Sequence, residues 1–365
     1  MGDGGLPVKA YALKNFAVPT SSSGGAFPAI AQCLHRQAGD GLVVCGAVFD
    51  GRFEVRHALR KFADGLEPFS GSKYVQSHVA DAFKAIPPLL AKGVLVLFSG
   101  MPCQVAALKR LLEGKQVPAD SLLTVDLVCH GTPRRDLWKA FLGLLRNRYG
   151  EDIRELHFRH KAGDPKRTGK PFIRLDNRRG IDRPPELETW MRWFYANRSL
   201  CRGCFSCPFR GDPAARPSDL TIGDFWGVAE FLPSFREVGD VSLVLSHTPR
   251  GDGVMDAIAR SGGILLEECG RFLARDDFRA FNRHLFESTP EPPRYAAFWR
   301  DFETMPFGEF FQKHARLSRK AKIIQIPLQI ATACGLRWKL LVWRFKLKRL
   351  VKGIFRKCRN TRNTQ

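Results

Sequence analysis

Apolar side chains along this chain recur with two periods, and the switches between them lay out the fold. Val8-Lys9-Ala10-Tyr11-Ala12-Leu13 alternates as a short strand, and Ala29, Ile30, Cys33 and Leu34 then keep helical spacing. The run 42–48 reads as a buried strand, with the alternating 53–58 as its antiparallel neighbour. Two βα units follow. In the first, the apolar run 93–98 ends at Ser99-Gly100-Met101-Pro102-Cys103-Gln104, and Val105, Ala106, Leu108, Leu111 and Leu112 continue as a helix. In the second, strand 122–128 ends at Cys129-His130-Gly131-Thr132-Pro133, followed by a helix through Leu137, Trp138, Phe141, Leu144 and Leu145. Each unit places its turn at the carboxyl end of a strand, the edge where open α/β sheets bind ligands.

Further along, 153–183 is polar and rich in Arg, Lys and Gly, with two strand-like runs that suggest a hairpin excursion. Its basic residues either receive an acidic substrate or partner or are solvated loop positions. An aromatic helix spans 188–196, a strand spans 218–227 with Asp224 as a polar contact or turn residue, and 262–266 is one more strand. From Lys322 the character changes. Leu336, Leu340, Trp343, Leu347, Leu350 and Ile354 share one helical stripe, with Arg and Lys over much of the remainder. The expected class is α/β, a mixed α+β sheet with ligand turns at strand carboxyl ends, plus a basic amphipathic C-terminal helix.

Composition changes this picture in one respect. The 365 residues carry a net charge of +22, but from Phe310 onward there are 16 Lys or Arg and no Asp or Glu, so the first 309 residues hold only +6. The excess is a property of the tail, whose pattern suits a helix lying on an anionic membrane surface. Its charges recur too often for the roughly 20 apolar residues of a membrane span. Docking to a partner and nucleic-acid binding are the other uses of such a tail, and Cys334 and Cys358 are open to acylation. The N-terminus shows no apolar core behind a basic start, so a reducing cytoplasm is expected and the ten cysteines point to metal or redox use.

The cysteines carry the chemistry. Cys201, Cys204 and Cys207 stand at C-x-x-C-x-x-C spacing with Pro208 behind, a run that lets successive thiolates turn around one metal centre. An iron–sulfur cluster fits it, and so does zinc, whose ligands more often come as two separated pairs. Cys103 and Cys129 sit at matching strand ends, which suggests a shared metal or redox site, while Cys269 reads as a buried thiol. His130 is placed to hydrogen-bond a cluster sulfur or cofactor, or to serve the structure. The Ser/Gly turn before the first helix is either a phosphate cradle or a serine cap with tightly packed glycines. No G-x-x-x-x-G-K-[ST] loop appears.

The stretches 21–27, 71–77, 98–104, 126–133, 204–207 and 218–227, in this order, closely resemble the coenzyme F-420 hydrogenase/dehydrogenase beta-subunit family. The resemblance, over about residues 8–300, implies an iron–sulfur flavoprotein with a 4Fe-4S cluster and FAD (or FMN), and bacterial relatives are often associated with polysaccharide biosynthesis. It implies that Ser22, Ser23, Gly24, Gly25, Ser72, Lys73, Tyr74, Gly100, Pro102 and Gln104 line the flavin, with His130 near the cofactors. It implies Cys129, Cys204 and Cys207 as cluster ligands, with Cys103 favoured as the fourth and Cys201 as the alternative. Many relatives begin with a ferredoxin-like segment carrying two cysteine quartets. This chain starts at the flavin motifs, so a separate ferredoxin-like electron carrier, or the substrate itself, is the expected electron source. The expected regions are 1–150 for flavin, 151–310 for cluster and substrate, and 311–365 for the tail. The expected location is the cytoplasm, with peripheral contact at the inner membrane face and no specific nucleic acid. Competing readings are a zinc-stabilised nucleic-acid-binding protein and a membrane-associated assembly protein without catalysis.

Overall fold

Strands of three to eight residues, most of them rich in Val, Ile and Leu, pair into one large sheet and one small one. The computed structural model describes residues 8–18, 21–150, 153–161 and 169–315. The basic tail helix, Cys334 and Cys358 lie outside them. By packing, the chain divides into residues 1–303 and 304–365, and the first unit holds both sheets. The strands are β1 (Lys9–Asn15), β2 (Val43–Phe49), β3 (Val55–Lys61), β4 (Val96–Gly100), β5 (Leu122–Leu127), β6 (Ile153–His160), β7 (Lys170–Leu175), β8 (Gly180–Asp182), β9 (Leu220–Asp224), β10 (Ser242–Ser246) and β11 (Ile264–Glu268). The helices needed below are α1 (Ala26–Ala38), α2 (Ala80–Leu90), α3 (Pro102–Gly114), α4 (Arg135–Tyr149), α5 (Pro185–Tyr195), α6 (Val228–Phe231) and α7 (Pro249–Ala259).

The large sheet has the order β11-β1-β10-β9-β5-β4-β2-β3. Strands β2, β4, β5 and β9 are mutually parallel, and β3 pairs antiparallel to β2 as the alternation of its residues predicts. β1 lies between β10 and β11 and is antiparallel to both. β10 is in turn antiparallel to β9, which makes β1 parallel to β9. The fold is therefore mixed α/β, with strands from both the 1–150 and 151–310 stretches in one sheet. The excursion forms the small antiparallel sheet β6-β7-β8.

Side-chain alternation gives the large sheet two different faces. One face is continuously apolar, with Tyr11, Leu13, Val44, Leu97, Val125, Leu220, Ile222 and Val244 packed under α1 and α7 residues such as Ile30, Leu34, Val254 and Ile258. The other face carries two apolar patches. One is built on Val96, Phe98 and Leu122, the other on Ala10, Ala12, Leu243 and Leu245. Between them runs a buried polar seam at the β5–β9 junction. The Asp219 carboxylate accepts from the backbone and hydroxyl of Thr124 at 2.8 and 2.7 Å. The Thr221 hydroxyl donates to Asp126 at 2.6 Å and accepts from His247 Nε2 at 2.8 Å. Arg216, 1% exposed in its side chain, pairs with Asp126 at 3.3 Å and so pins the loop behind the cysteine run to the sheet.

Removing one partner of a buried ion pair strands the other charge in a medium that cannot solvate it. Asp126→Ala should therefore lower unfolding free energy by about 3–5 kcal/mol, and urea denaturation at neutral pH checks it. A loss below ~1 kcal/mol would show that Arg216 is not held by this carboxylate.

Candidate functional site

Two loops carry Cys129 and the run Cys201, Cys204 and Cys207, and backbone hydrogen bonds lace them together. Cys201 N–H donates to Thr132 O at 2.8 Å, Arg134 N–H donates to Ser199 O at 3.1 Å, and Pro133 bridges to Leu200. Gly131 makes the approach possible. Its φ is +118°, and a Cβ there would meet Leu200 Cδ1 at 2.8 Å and Cys204 Cβ at 3.3 Å. Cys129 Sγ accepts from the Gly131 N–H at 3.3 Å. The loop between the β5 end and α4 is thus pressed against the cysteine run.

Cys103 arrives from the next strand over, in the first turn of α3. The Gln104 side chain caps that turn by accepting from Met101 N–H at 2.9 Å, and its amide donates to Ser77 Oγ at 3.0 Å. Ser77 in turn bonds His57 Nδ1 at 2.9 Å, and His57 Nε2 bonds Ser99 O at 2.9 Å. Ser99 O only accepts, so Nε2 carries the proton and the Ser77 hydroxyl donates to Nδ1. Every polar atom in this chain is satisfied with His57 neutral. Next door, Gln76 N–H donates to Pro133 O at 3.1 Å, and the Cys201 thiol donates to the Gln76 side chain at 3.8 Å. The 71–77 stretch therefore braces both the Cys103 turn and the Cys129 loop.

The thiols sense one another. Cys103 is held above its ordinary value by desolvation, then by Cys207 and Cys204. Burial pushes Cys129 up to about 11, with Cys204 and Cys103 adding to the rise while the Gly131 N–H and Arg210 oppose it. The neighbouring Cys201 thiol brings Cys204 down to about 6, and Cys201 is in turn held far above the usual thiol range. All five cysteines thus lie in one neighbourhood, drawn from three separate segments. Cys269 is fully buried elsewhere, in the apolar patch with Ala10 and Phe272, as a structural thiol. Among the described residues no three His, Cys, Asp or Glu side chains are placed to hold a single metal ion.

His130 spends both ring nitrogens on protein partners rather than on a sulfur. Nε2 donates to Asn197 Oδ1 at 2.7 Å, which leaves Nδ1 to accept from His284 Nδ1–H at 3.2 Å. Burial keeps both rings neutral, His130 down to about 4 and His284 to about 3. Asn197 holds a left-handed φ of 63° and also donates to Pro290 O at 3.0 Å, tying a third loop to the site.

The neighbouring rim is formed by the ends of β1, β5 and β9. Here the Ser/Gly turn sits, and its glycine is explained by packing. A Cβ on Gly24 would fall 2.1 Å from Leu13 O and 2.3 Å from Ser242 N. Ser23 bonds Val241 O and Ser242 Oγ, both at 3.2 Å, and the expected serine cap of α1 is not made: Gly25 is the capping residue, without a side-chain bond. The excursion reaches this rim from above. Arg159 pairs with Asp224 at 2.9 Å, and Lys161 pairs with Asp240 at 2.8 Å and donates to Ser21 O. Lys161 is 4% exposed and Arg159 is half-buried, both are paired, and the reading of the excursion's basic residues as solvated does not hold for them. Tyr74 packs on Phe158 and Phe194, and Tyr195 lies within electrostatic reach of Tyr74, Arg159 and Asp224. Lys73, brought down to about 8 by burial, turns back onto Ser70 O at 2.8 Å and Gly71 O at 3.2 Å. An open depression of about 530 Å³ on the β2–β3 side is lined by none of these residues.

Residues 94–270 match the family model for the C-terminal part of the coenzyme F-420 hydrogenase/dehydrogenase beta subunit. Over these residues the chain belongs to that family. Among solved structures, a chain of the F-420-reducing NiFe hydrogenase complex from Methanosarcina barkeri is similar at 15% identity, covering 79% of this chain and 92% of that one, with a TM-score of 0.49. No curated protein matches the sequence. The family match takes in all five clustered cysteines, while the Ser/Gly turn and the 71–77 stretch precede it. Residues that carry geometry here but gave no sequence signal are His57, Asn197, Arg210 and His284. Each works through partners far away in the chain.

His57 yields a pH prediction. Burial brings it down to about 4, against an ordinary 6.5. Between those values the unfolded chain binds a proton that the folded one does not. Its contribution is therefore complete above pH ~6.5 and is lost as pH falls toward ~4, by up to about 3 kcal/mol. His57→Gln should show a shallower loss of stability over that window in urea titrations, and an unchanged slope would refute the assignment.

Proposed function

We propose that this chain is an iron–sulfur flavoprotein oxidoreductase that passes electrons between a 4Fe-4S cluster, FAD (or FMN) and a substrate. The observation that carries the reading is the gathering of Cys103, Cys129, Cys204 and Cys207 from three segments, each in reach of others of the set. His130 is engaged elsewhere, so the donor set is all sulfur, which suits an iron–sulfur core. A polynuclear core presents its irons at separate corners, so thiols arriving from three segments can each take one. Cys201, next to Cys204, is the alternative fourth thiolate.

Bound here, the cluster would supply one-electron transfer and the flavin would exchange a hydride for two single electrons. The protein's share is placement. The 21–25 turn, residues 72–74 and the Gly100–Gln104 turn are proposed to line the flavin. In support, the large apolar side chains exposed among the described residues are Phe16, Leu127, Tyr195 and Trp226. Phe16, Leu127 and Trp226 follow or end β1, β5 and β9 at this rim, and Tyr195 neighbours Asp224 there. An exposed aromatic edge beside polar anchors is what a planar ligand or a docking partner covers. Phe194 stands between Tyr74 and His130, with ring centroids 4.7 and 5.0 Å away, and fills the space from the rim toward Cys129 with apolar matter.

The same reading assigns 1–150 to flavin binding, 151–310 to the cluster and substrate, and 311–365 to attachment at an anionic inner membrane face. A ferredoxin-like carrier is proposed as electron donor, and a step of polysaccharide biosynthesis as the setting. No described helix is long and apolar enough to cross a membrane.

Anaerobic purification with metal, sulfide and flavin analysis tests the proposal. The expected protein is yellow-brown, with flavin bands and about four iron atoms per chain. Cys129→Ala and Cys103→Ala should lose most of the iron, while Cys201→Ala keeps it. A colourless protein containing zinc would overturn the reading.

A further inference from the structure

Arg210 lies three residues beyond Cys207, and its guanidinium donates to two neutral oxygens: the carbonyl of Cys129 and the hydroxyl of Thr289. Thr289, 3% exposed, passes its own proton to the carbonyl of His130 at 2.8 Å. The cation is therefore locked by bonds to the backbone on either side of the Cys129–His130 peptide. Among the described residues no carboxylate forms an ion pair with it, unlike Arg159, Arg174, Arg183 and Arg216. A half-buried guanidinium with only neutral partners is costly unless some anion balances it. Its bond to the Cys129 carbonyl, and through Thr289 to that of His130, holds the cation against the Cys129 loop, three residues beyond Cys207, so the cysteine site is the place beside it where an anion can balance it.

We propose that Arg210 is the charge-compensating residue of the cysteine site: a cation fixed by protein carbonyl and hydroxyl groups that offsets the negative charge of the metal-bound thiolates and favours the reduced state of the group they hold. The inference rests on the cluster reading above. An all-thiolate iron–sulfur centre is anionic and gains one further negative charge on reduction, so a fixed cation beside it stabilises the reduced form more than the oxidised form. The step concerned is the uptake of a single electron from a one-electron donor, with no bond formed or broken. Arg210 acts through space and through the Cys129 loop, not by touching the electron's destination, and is a positioning and tuning residue.

The test uses anaerobically purified holoprotein and three chains: wild type, Arg210→Gln, which keeps hydrogen-bonding capacity without charge, and Arg210→Lys, which keeps charge without the fork. Iron per chain, circular dichroism and a mediator-equilibrated redox titration with dithionite are the readouts. With iron retained, Arg210→Gln should titrate lower by about 59 mV or more, a tenfold fall in the one-electron reduction constant, and Arg210→Lys should recover most of that shift. Loss of iron or of fold in Arg210→Gln with retention of both in Arg210→Lys also supports the proposal, because charge alone separates the two. An unshifted potential in Arg210→Gln overturns it. So does an equal shift, or an equal loss of iron or fold, in both variants, which would make the role one of shape and bonding. If wild type itself holds no iron–sulfur centre, the functional reading fails first, and that outcome is distinct from the others.

Discussion

The site depends on how closely two irregular loops can lie without side chains between them. Where the 129–134 loop meets the 199–204 loop, the backbones hydrogen-bond directly, and Gly131 leaves room for the Leu200 side chain that any Cβ there would strike. Irregular loops cannot satisfy their own backbone groups as strands do, so pairing across the gap serves both sides. This pairing brings Cys129, delivered by a sheet strand, beside Cys201 and Cys204, delivered by a run that belongs to no strand. The strand end supplies rigidity, and the run supplies several sulfurs at short spacing. Neither alone supplies four thiols.

The buried polar seam plays a complementary part beneath it. A sheet face that is apolar throughout fixes little about which loop lies where, because apolar contacts are non-directional. Asp126, Thr221, Asp219 and His247 give one junction of the sheet a directional pattern, and Arg216 is the residue of the following loop that reads it. The loop carrying the cysteine run is thereby tied at its far end to the same strand, β5, whose tip carries Cys129. Two attachments to one strand set the separation between the cysteine-bearing segments. The desolvation of Asp126, which raises its pKa against the pull of Arg216, is the cost of that specificity.

Much of this was legible in the residues, and the limits follow from physics. The strands ending near Cys103 and Cys129 are long apolar runs with clear turns, and local pattern suffices for such elements. The antiparallel β2–β3 pair and the β6–β7 hairpin were equally plain. β10, Val244 at its centre, went unread although it is apolar, because five residues show too little of either period to distinguish a short central strand from a buried helical turn. α2 was hidden by Pro87 and Pro88, residues that ordinarily end a helix and here stand inside its last turn. Arg159 and Lys161 looked like solvent-facing charge because their partners, Asp224 and Asp240, lie about 65 and 79 positions away in the sequence. For Arg210 there was no local signal at all: its meaning comes from a carbonyl and a hydroxyl that only the folded chain brings near it.

The placement of β1 has a bearing on how the molecule is made. As the first strand of the chain, it pairs only with β10 and β11, so its neighbours leave the ribosome some 230 to 250 residues after it does. Such non-local closure is slow and leaves an unpaired, apolar edge exposed during synthesis. The Ser/Gly turn that follows β1 takes its shape from Leu13 and Ser242, so the rim it belongs to forms only after Ser242 has been made. Anything held at that rim therefore has to wait for β10, although the first of its strands is made at the very start.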